Sequence, residues 1–247
     1  MEQERKIALL IDCDNANYHA IEGVLNELAK YGVTNIRRAY GNWKSSHLKG
    51  WEEQLHPYAI QPIQQFAYTS GKNATDAAMI IDAIDLLYTQ QLDAFALMTS
   101  DSDFTPLVMR ILTNGLKVYG FGEKKTPQPF VNACSQFIYT ENLEVTEDEP
   151  EKIPEVRKDM KKSRNELRGD AKLVNLLRNA AEQTAEEDGW SHLGRVGQYI
   201  SNNTSFSPIN YGYKKLSDLI KVSELFQIDM RNNSVMYIKD KRKSSQE

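Results

Sequence analysis

Ile7-Ala8-Leu9-Leu10-Ile11-Asp12-Cys13-Asp14-Asn15 decides how the rest of this 247-residue chain is read. Five consecutive apolar residues have the length of a strand buried on both faces, and the run stops on an acid that burial alone does not explain. A helix follows at once, with Ile21, Val24, Leu25 and Leu28 at helical spacing, a stop near Gly32, and Asn17 placed to cap it. Strand, acidic turn and helix make the first unit of an α/β alternation.

The alternation continues down the chain. Residues 34–40 read as a second strand, 45–55 as a short helix capped by Ser45 or Ser46, and 60–68 as a third strand. The polar turn Ser70-Gly71-Lys72-Asn73 leads into a long helix over 75–88. Residues 94–98 form a fourth strand, 103–113 a helix stopped at Asn114-Gly115, 116–121 a fifth strand and 137–139 a sixth. This order predicts an α/β fold with a parallel sheet flanked by helices, and ligands bound beyond the carboxyl ends of the strands.

Composition changes after Glu141. We read residues 1–142 as the first domain, 143–165 as a charged linker, 166–240 as a second domain and 241–247 as a basic, polar tail. The second domain reads as three helices, over 167–187, 193–201 and 214–222, and a hairpin of 225–230 with 235–239 across the turn-favouring Asn232-Asn233. Helices followed by such a hairpin describe a small winged-helix module.

The formal charge of −4 does not by itself mark a nucleic-acid binder, but the distribution is uneven. Residues 157–172 hold seven basic side chains against three acidic ones, and local fields steer a polyanion more than the total does. Two cysteines, Cys13 and Cys134, are too few for a disulfide framework. The first residues lack the pattern of a signal peptide, and no apolar run is long enough to span a membrane. A soluble, cytoplasmic protein is the expectation.

The acids carry the chemistry. Asp12 ends the first strand, with Asp14 and Asn15 in the turn after it; Asp101 and Asp103 fall in the equivalent place after the fourth strand; Asp76 lies in the first turn of the long helix. Where strand order reverses between the two strands, these carboxylates enter one crevice. Gathered carboxylates repel one another unless a cation offsets their charge. Oxygen ligation without His or Cys favours Mg²⁺ or Mn²⁺, with Asp12, Asp76, Asp101 and Asp103 as both metal ligands and catalytic residues. The chemistry that follows is metal-dependent phosphodiester hydrolysis.

Local alternatives exist for several of these residues. Asn73 with Asp76 is also an ordinary helix start, and Ser102 with Asp103, Thr105 and Pro106 is another. Asp14 faces either the metal or the turn. Asp82 and Asp85 lie off the Asp76 face and read as solvent-facing or as capping partners. Trp43, near Arg37, Arg38 and Lys44, is either a core residue or a stacking clamp for a single strand. Asn15, Lys72 and Ser102 are candidate substrate-binding residues beside the acids, and Lys214 and Lys215 are candidates in the second domain.

Ile11-Asp12-Cys13-Asp14-Asn15, Lys72-Asn73-Ala74-Thr75-Asp76 running into Ile81-Asp82-Ala83-Ile84-Asp85, and Thr99-Ser100-Asp101-Ser102-Asp103-Phe104-Thr105-Pro106-Leu107 resemble the NYN domain of the PIN-like nuclease superfamily, bacterial members included. The resemblance covers residues 6–140 and is most specific in the third motif. It implies a metal-dependent ribonuclease with Asp12 as first-strand acid, Asp76 as helix acid, and Asp101 and Asp103 as the pair after the fourth strand. Residues 167–239 resemble an OST-HTH, or LOTUS, domain through Trp190, Leu193, Phe206, the run Tyr211-Gly212-Tyr213-Lys214-Lys215-Leu216 and Val235-Met236-Tyr237-Ile238. That likeness implies an RNA partner, with protein partners in some settings; oligomeric state stays open.

Two other function classes compete. An RNA-binding adaptor would keep the acids without turnover. Asp12-Cys13-Asp14 also fits the opening of haloacid-dehalogenase-type phosphatases, in which the first Asp is a nucleophile. Here the helix begins almost directly after Asn15, which leaves little room for the flap such enzymes insert.

Overall fold

The computed structural model describes residues 4–65, 74–143, 161–232 and 234–242, in two units, Met1–Glu147 and Asp148–Glu247. In the first unit the elements run β1 (Lys6–Asp12), α1 (Ile21–Leu28), β2 (Val33–Gly41), α2 (Lys49–Leu55), β3 (Gln61–Gln64), α3 (Ala74–Thr89), β4 (Ala94–Met98), α4 (Thr105–Thr113), β5 (Lys117–Gly122), α5 (Gln128–Ala133) and β6 (Gln136–Tyr139). The strands form one sheet ordered β3-β2-β1-β4-β5-β6, with every pair parallel. The chain therefore steps outward from β1 to β3, returns to lay β4 beside β1, and steps outward again. The switch in strand order falls between β1 and β4, the place at whose carboxyl ends open α/β sheets generally bind ligands.

Ile7 to Ile11 and Ala94 to Met98 are all buried, as strands covered by helices on both faces must be. Alternation sends Ala8 and Leu10, with Tyr40, Phe95 and Leu97, to one face, where Met79, Ala83, Leu86 and Leu87 of α3 and Leu107, Val108 and Ile111 of α4 cover them. Asp12 continues the Ala8-Leu10 column and emerges on that same face.

Several elements differ from expectation in instructive ways. The helix expected over 103–113 begins as a 3-10 turn, Ser102–Phe104, before α4, and Ser45 caps a similar turn, Ser46–Leu48, ahead of α2. α5 was not expected; Pro127 and Pro129 fall at its start, where proline is tolerated because the first-turn N–H groups have no intrahelical partner. The third strand ends at Gln64, and residues 66–73, which include the rest of that expected strand, Lys72 and Asn73, lie outside the described residues.

In the second unit the single helix expected over 167–187 is two, Arg164–Gly169 and Ala171–Gln183. Asp170 is extended, at φ −81° and ψ 94°, and its carboxylate accepts the Leu173 amide at 3.0 Å, which starts the second helix. Ser163 and Glu166 form a reciprocal capping box on the first. The helices Leu193–Asn203 and Leu216–Ser223 follow, then an antiparallel sheet ordered β7-β9-β8 from Ser191–His192 (β7), Phe226–Arg231 (β8) and Val235–Asp240 (β9). Leu167, Leu173, Leu177, Val196, Leu219 and Ile238 close the core. Lys214 and Lys215 precede the helix that was expected to carry them, and both are exposed. Most of the expected linker and tail, 144–160 and 243–247, and Asn233 of the hairpin turn lie outside the described residues. Among the described residues no helix is long and apolar enough to cross a membrane.

Candidate active site

Asp12 is the last residue of β1 and is fully buried. Its Oδ2 accepts the Thr99 hydroxyl at 2.7 Å and the Asn15 amide at 3.0 Å, and its Oδ1 accepts the Asp14 backbone N–H at 3.2 Å. Burial pushes its pKa up and the bonds from Thr99 and Asn15 pull it back, with a net rise. Asp14 and Asn15 are exposed in the turn that Asp12 organises. The Cys13 N–H donates to the Tyr40 carbonyl at 3.1 Å, which carries the β1–β2 pairing into that turn.

The equivalent turn after β4 is built on Thr99, also fully buried. Its N–H donates to the Phe121 carbonyl of β5 at 2.9 Å, and its hydroxyl accepts the Asp101 N–H at 3.1 Å while donating to Asp12. Asp101 then caps the 3-10 turn, accepting the Asp103 N–H on Oδ1 at 2.8 Å. The cap is therefore Asp101 and not Ser102, whose carbonyl takes the Thr105 hydroxyl at 2.6 Å. The Ser100 hydroxyl accepts the Glu123 N–H at 2.9 Å and holds the next loop against this turn. Sequence reasoning missed Thr99 as a site residue; the signal was a hydroxyl standing between an apolar strand and an acid.

Asp76 is half-buried in the first turn of α3. Its pKa is pushed up to about 6, first by burial and then by the negative charges of Asp12, Asp101, Asp14 and Asp103. The structure thus places Asp76 within the field of the acids of the other two motifs. Carboxylates so crowded have the charge and the hard oxygen donors that a divalent cation needs. Among the described residues, no three acidic, His or Cys side chains converge closely enough to hold a metal by themselves. Oxygen donors of this kind suit a hard divalent cation that takes one or two carboxylates and completes its shell with water or ligand oxygens.

The surroundings refine the sequence reading. Asp85 is exposed, but Asp82 is not simply solvent-facing: it accepts hydrogen bonds from Arg38 and from the Tyr40 hydroxyl, both on the β2 face that α3 covers. Trp43 is half-buried, with its indole N–H on the Ile63 carbonyl at 3.1 Å, while Arg37 donates to the Tyr58 carbonyl at 2.8 Å. Arg37 and Arg38 thus serve the fold beside Trp43. A cleft of about 460 Å³ lined by Gln65, Ala78, Ile81 and Asp82 lies along α3 and does not include Asp12, Asp101 or Asp103.

Family models match the chain twice: an NYN domain over residues 6–144 and an OST-HTH/LOTUS domain over residues 168–238. An uncharacterised protein of Methanocaldococcus jannaschii is 28% identical over 123 residues, which are 48% of this chain and 48% of that protein, so the chain spans about half the length of this curated relative. A solved structure of a protein of unknown function from Vibrio parahaemolyticus, 20% identical, covers 56% of this chain and 94% of its own at a TM-score of 0.48. An uncharacterised protein from Nitrosomonas europaea, solved in solution, is 28% identical and covers 39% of this chain and 88% of its own at a TM-score of 0.28.

Proposed function

The chain belongs to the NYN-domain family, part of the PIN-like nuclease superfamily, and from that premise we propose that it is a divalent-cation-dependent ribonuclease that cuts internal phosphodiester bonds. The observation that carries the proposal is the meeting of Asp12, Asp76, Asp101 and Asp103, with Asp14, in one electrostatic field at the β1–β4 switch point. A bound Mg²⁺ or Mn²⁺ supplies charge neutralisation at the phosphate. Asp12, held by Thr99 and Asn15, is the fixed donor, and Asp76, Asp101 and Asp103 complete the acidic edge. Asn15 and Ser102 flank it as substrate contacts, and Lys72, outside the described residues, is assigned the same role from its sequence position beside Asp76.

The OST-HTH/LOTUS domain is of an RNA-binding type, and we assign RNA recruitment to it, with Lys214 and Lys215 as exposed phosphate contacts. Protein partners of this domain are a further proposal. A second reading, an RNA-binding adaptor without turnover, draws on the absence of three converging acid side chains among the described residues.

Cleavage of labelled single-stranded RNA with Mn²⁺ or Mg²⁺, by wild type and by Asp101→Ala, separates the two. Cation-dependent internal cuts by wild type alone support the nuclease. Binding without cutting by wild type supports the adaptor, and equal cutting by both proteins removes Asp101 from the site.

A further inference from the structure

We propose that Asp82 is a positioning residue for Asp76: anchored by Arg38 and Tyr40, it sets α3 against β2 and so fixes where the Asp76 carboxylate stands relative to Asp12. The inference rests on the reading of the acids as a cation site, and concerns what holds them in place.

Tyr40 is the node. It is the register partner of Asp12 across the β1–β2 pair, and its carbonyl accepts the Cys13 N–H at 3.1 Å, so its backbone holds the turn on which Asp12 stands. Its fully buried ring carries the hydroxyl to Asp82 Oδ2 on α3. Arg38, two residues earlier and on the same face of β2, donates Nη1 to Asp82 Oδ1. One strand thus grips the Asp12 turn through main chain and α3 through side chains.

Asp82 lies six residues beyond Asp76 on α3, about 9 Å along the helix axis at roughly 1.5 Å per residue. Both ends of that span sit within one continuous helix, so a shift at Asp82 reappears at Asp76. The apolar contacts of Met79, Ala83, Leu86 and Leu87 hold α3 onto the sheet, but the attraction of apolar surfaces is non-directional. The Asp82 bonds are directional, and they engage both carboxylate oxygens, one to each partner. Held on both oxygens by β2, Asp82 acts by placing Asp76. The tolerance is small, because a displacement of about 1 Å at a reacting group can cost about a hundredfold in rate.

The test uses the full chain and reads Mn²⁺ affinity from the electron paramagnetic resonance signal of free Mn²⁺, alongside RNA cleavage. Tyr40→Phe removes only the hydroxyl, Asp82→Asn removes the charge, and Leu86→Ala serves as a control that loosens the same helix without touching the anchor. We expect Tyr40→Phe and Asp82→Asn to weaken Mn²⁺ binding by about tenfold or more, as loss of the groups that orient metal ligands does, while Leu86→Ala stays within about twofold even where its melting temperature falls further. In an Asp76→Asn background, adding Asp82→Asn should change Mn²⁺ affinity no further. Wild-type affinity in both anchor variants, or an undiminished Asp82→Asn effect in that background, overturns the positioning role alone. A wild-type chain that binds Mn²⁺ no better than Asp12→Asn overturns the cation-site reading and the positioning role together.

Discussion

Thr99 gives its hydroxyl proton to Asp12 Oδ2 at 2.7 Å, and this bond joins the carboxyl ends of β4 and β1 at the point where strand order reverses. The Thr99 hydroxyl oxygen also accepts the Asp101 N–H, so one buried hydroxyl is bonded to both acid-bearing turns.

Thr99→Val keeps the shape and removes the bond. Asp12 keeps its bonds from Asn15 and Asp14 but loses the one from Thr99, and the part-buried Asp101 N–H loses its acceptor, a combined cost of about 1–3 kcal/mol. We expect urea denaturation to show a loss of that order, with cleavage falling further than stability alone explains. Thr99→Ser, which retains the hydroxyl, should restore most of both.

Cation binding should stabilise the folded chain by mass action. At a Mn²⁺ concentration about a hundredfold above its dissociation constant, the gain is about 2.7 kcal/mol. Differential scanning fluorimetry should show a rise in the first unit's melting temperature for wild type and none for Asp12→Asn or Asp101→Asn. Removing the ion with a chelator should return wild type to its starting value.

Lys214 and Lys215 predict a salt signature. If they neutralise phosphates, Lys214→Ala with Lys215→Ala should weaken RNA binding for all sequences alike and lower the slope of log affinity against log salt by about one for each phosphate left without its lysine. An unchanged slope would move the RNA surface elsewhere on the domain.

Asp240 should set the acid limit of the second unit. Burial tends to raise its pKa, but hydrogen bonds from the Arg242 side chain and backbone and the charges of Arg178 and Arg242 outweigh it, and the carboxyl is held below its usual range. Arg242 Nη2 lies 2.9 Å and Arg178 Nε 3.3 Å from Asp240 Oδ2. A carboxyl with a depressed folded pKa contributes its stability above the unfolded value of about 3.9, and that contribution is lost as pH falls through the folded pKa. Asp240→Asn should therefore lower stability at neutral pH by about 1–3 kcal/mol and flatten the decline on acidification. Circular dichroism melts across that pH range check both.

Much of this was legible in the residues. Two apolar runs of strand length located β1 and β4, because burial on both faces leaves a continuous apolar signature, and the acids at their ends mark the two turns at the switch in strand order. What stayed hidden depends on neighbours distant in sequence. Asp82 reads as an exposed helix acid until β2 places Arg38 and Tyr40 beneath it. Thr99 reads as a strand-end hydroxyl until Asp12, 87 residues away, arrives beside it. Asp170 hid for a local reason, since a single extended residue between two helices leaves the apolar spacing of Leu167, Leu173 and Leu177 looking continuous.

Strand order also has a consequence for biosynthesis. β1 leaves the ribosome first, yet Asp12 gains its Thr99 bond only after β2, α2, β3 and α3 have been made and β4 has come back to lie against it. A nascent chain that stops short of β4 has one acidic turn and no crevice. The two acidic turns can therefore come together only once the chain has been made through β4 and Thr99.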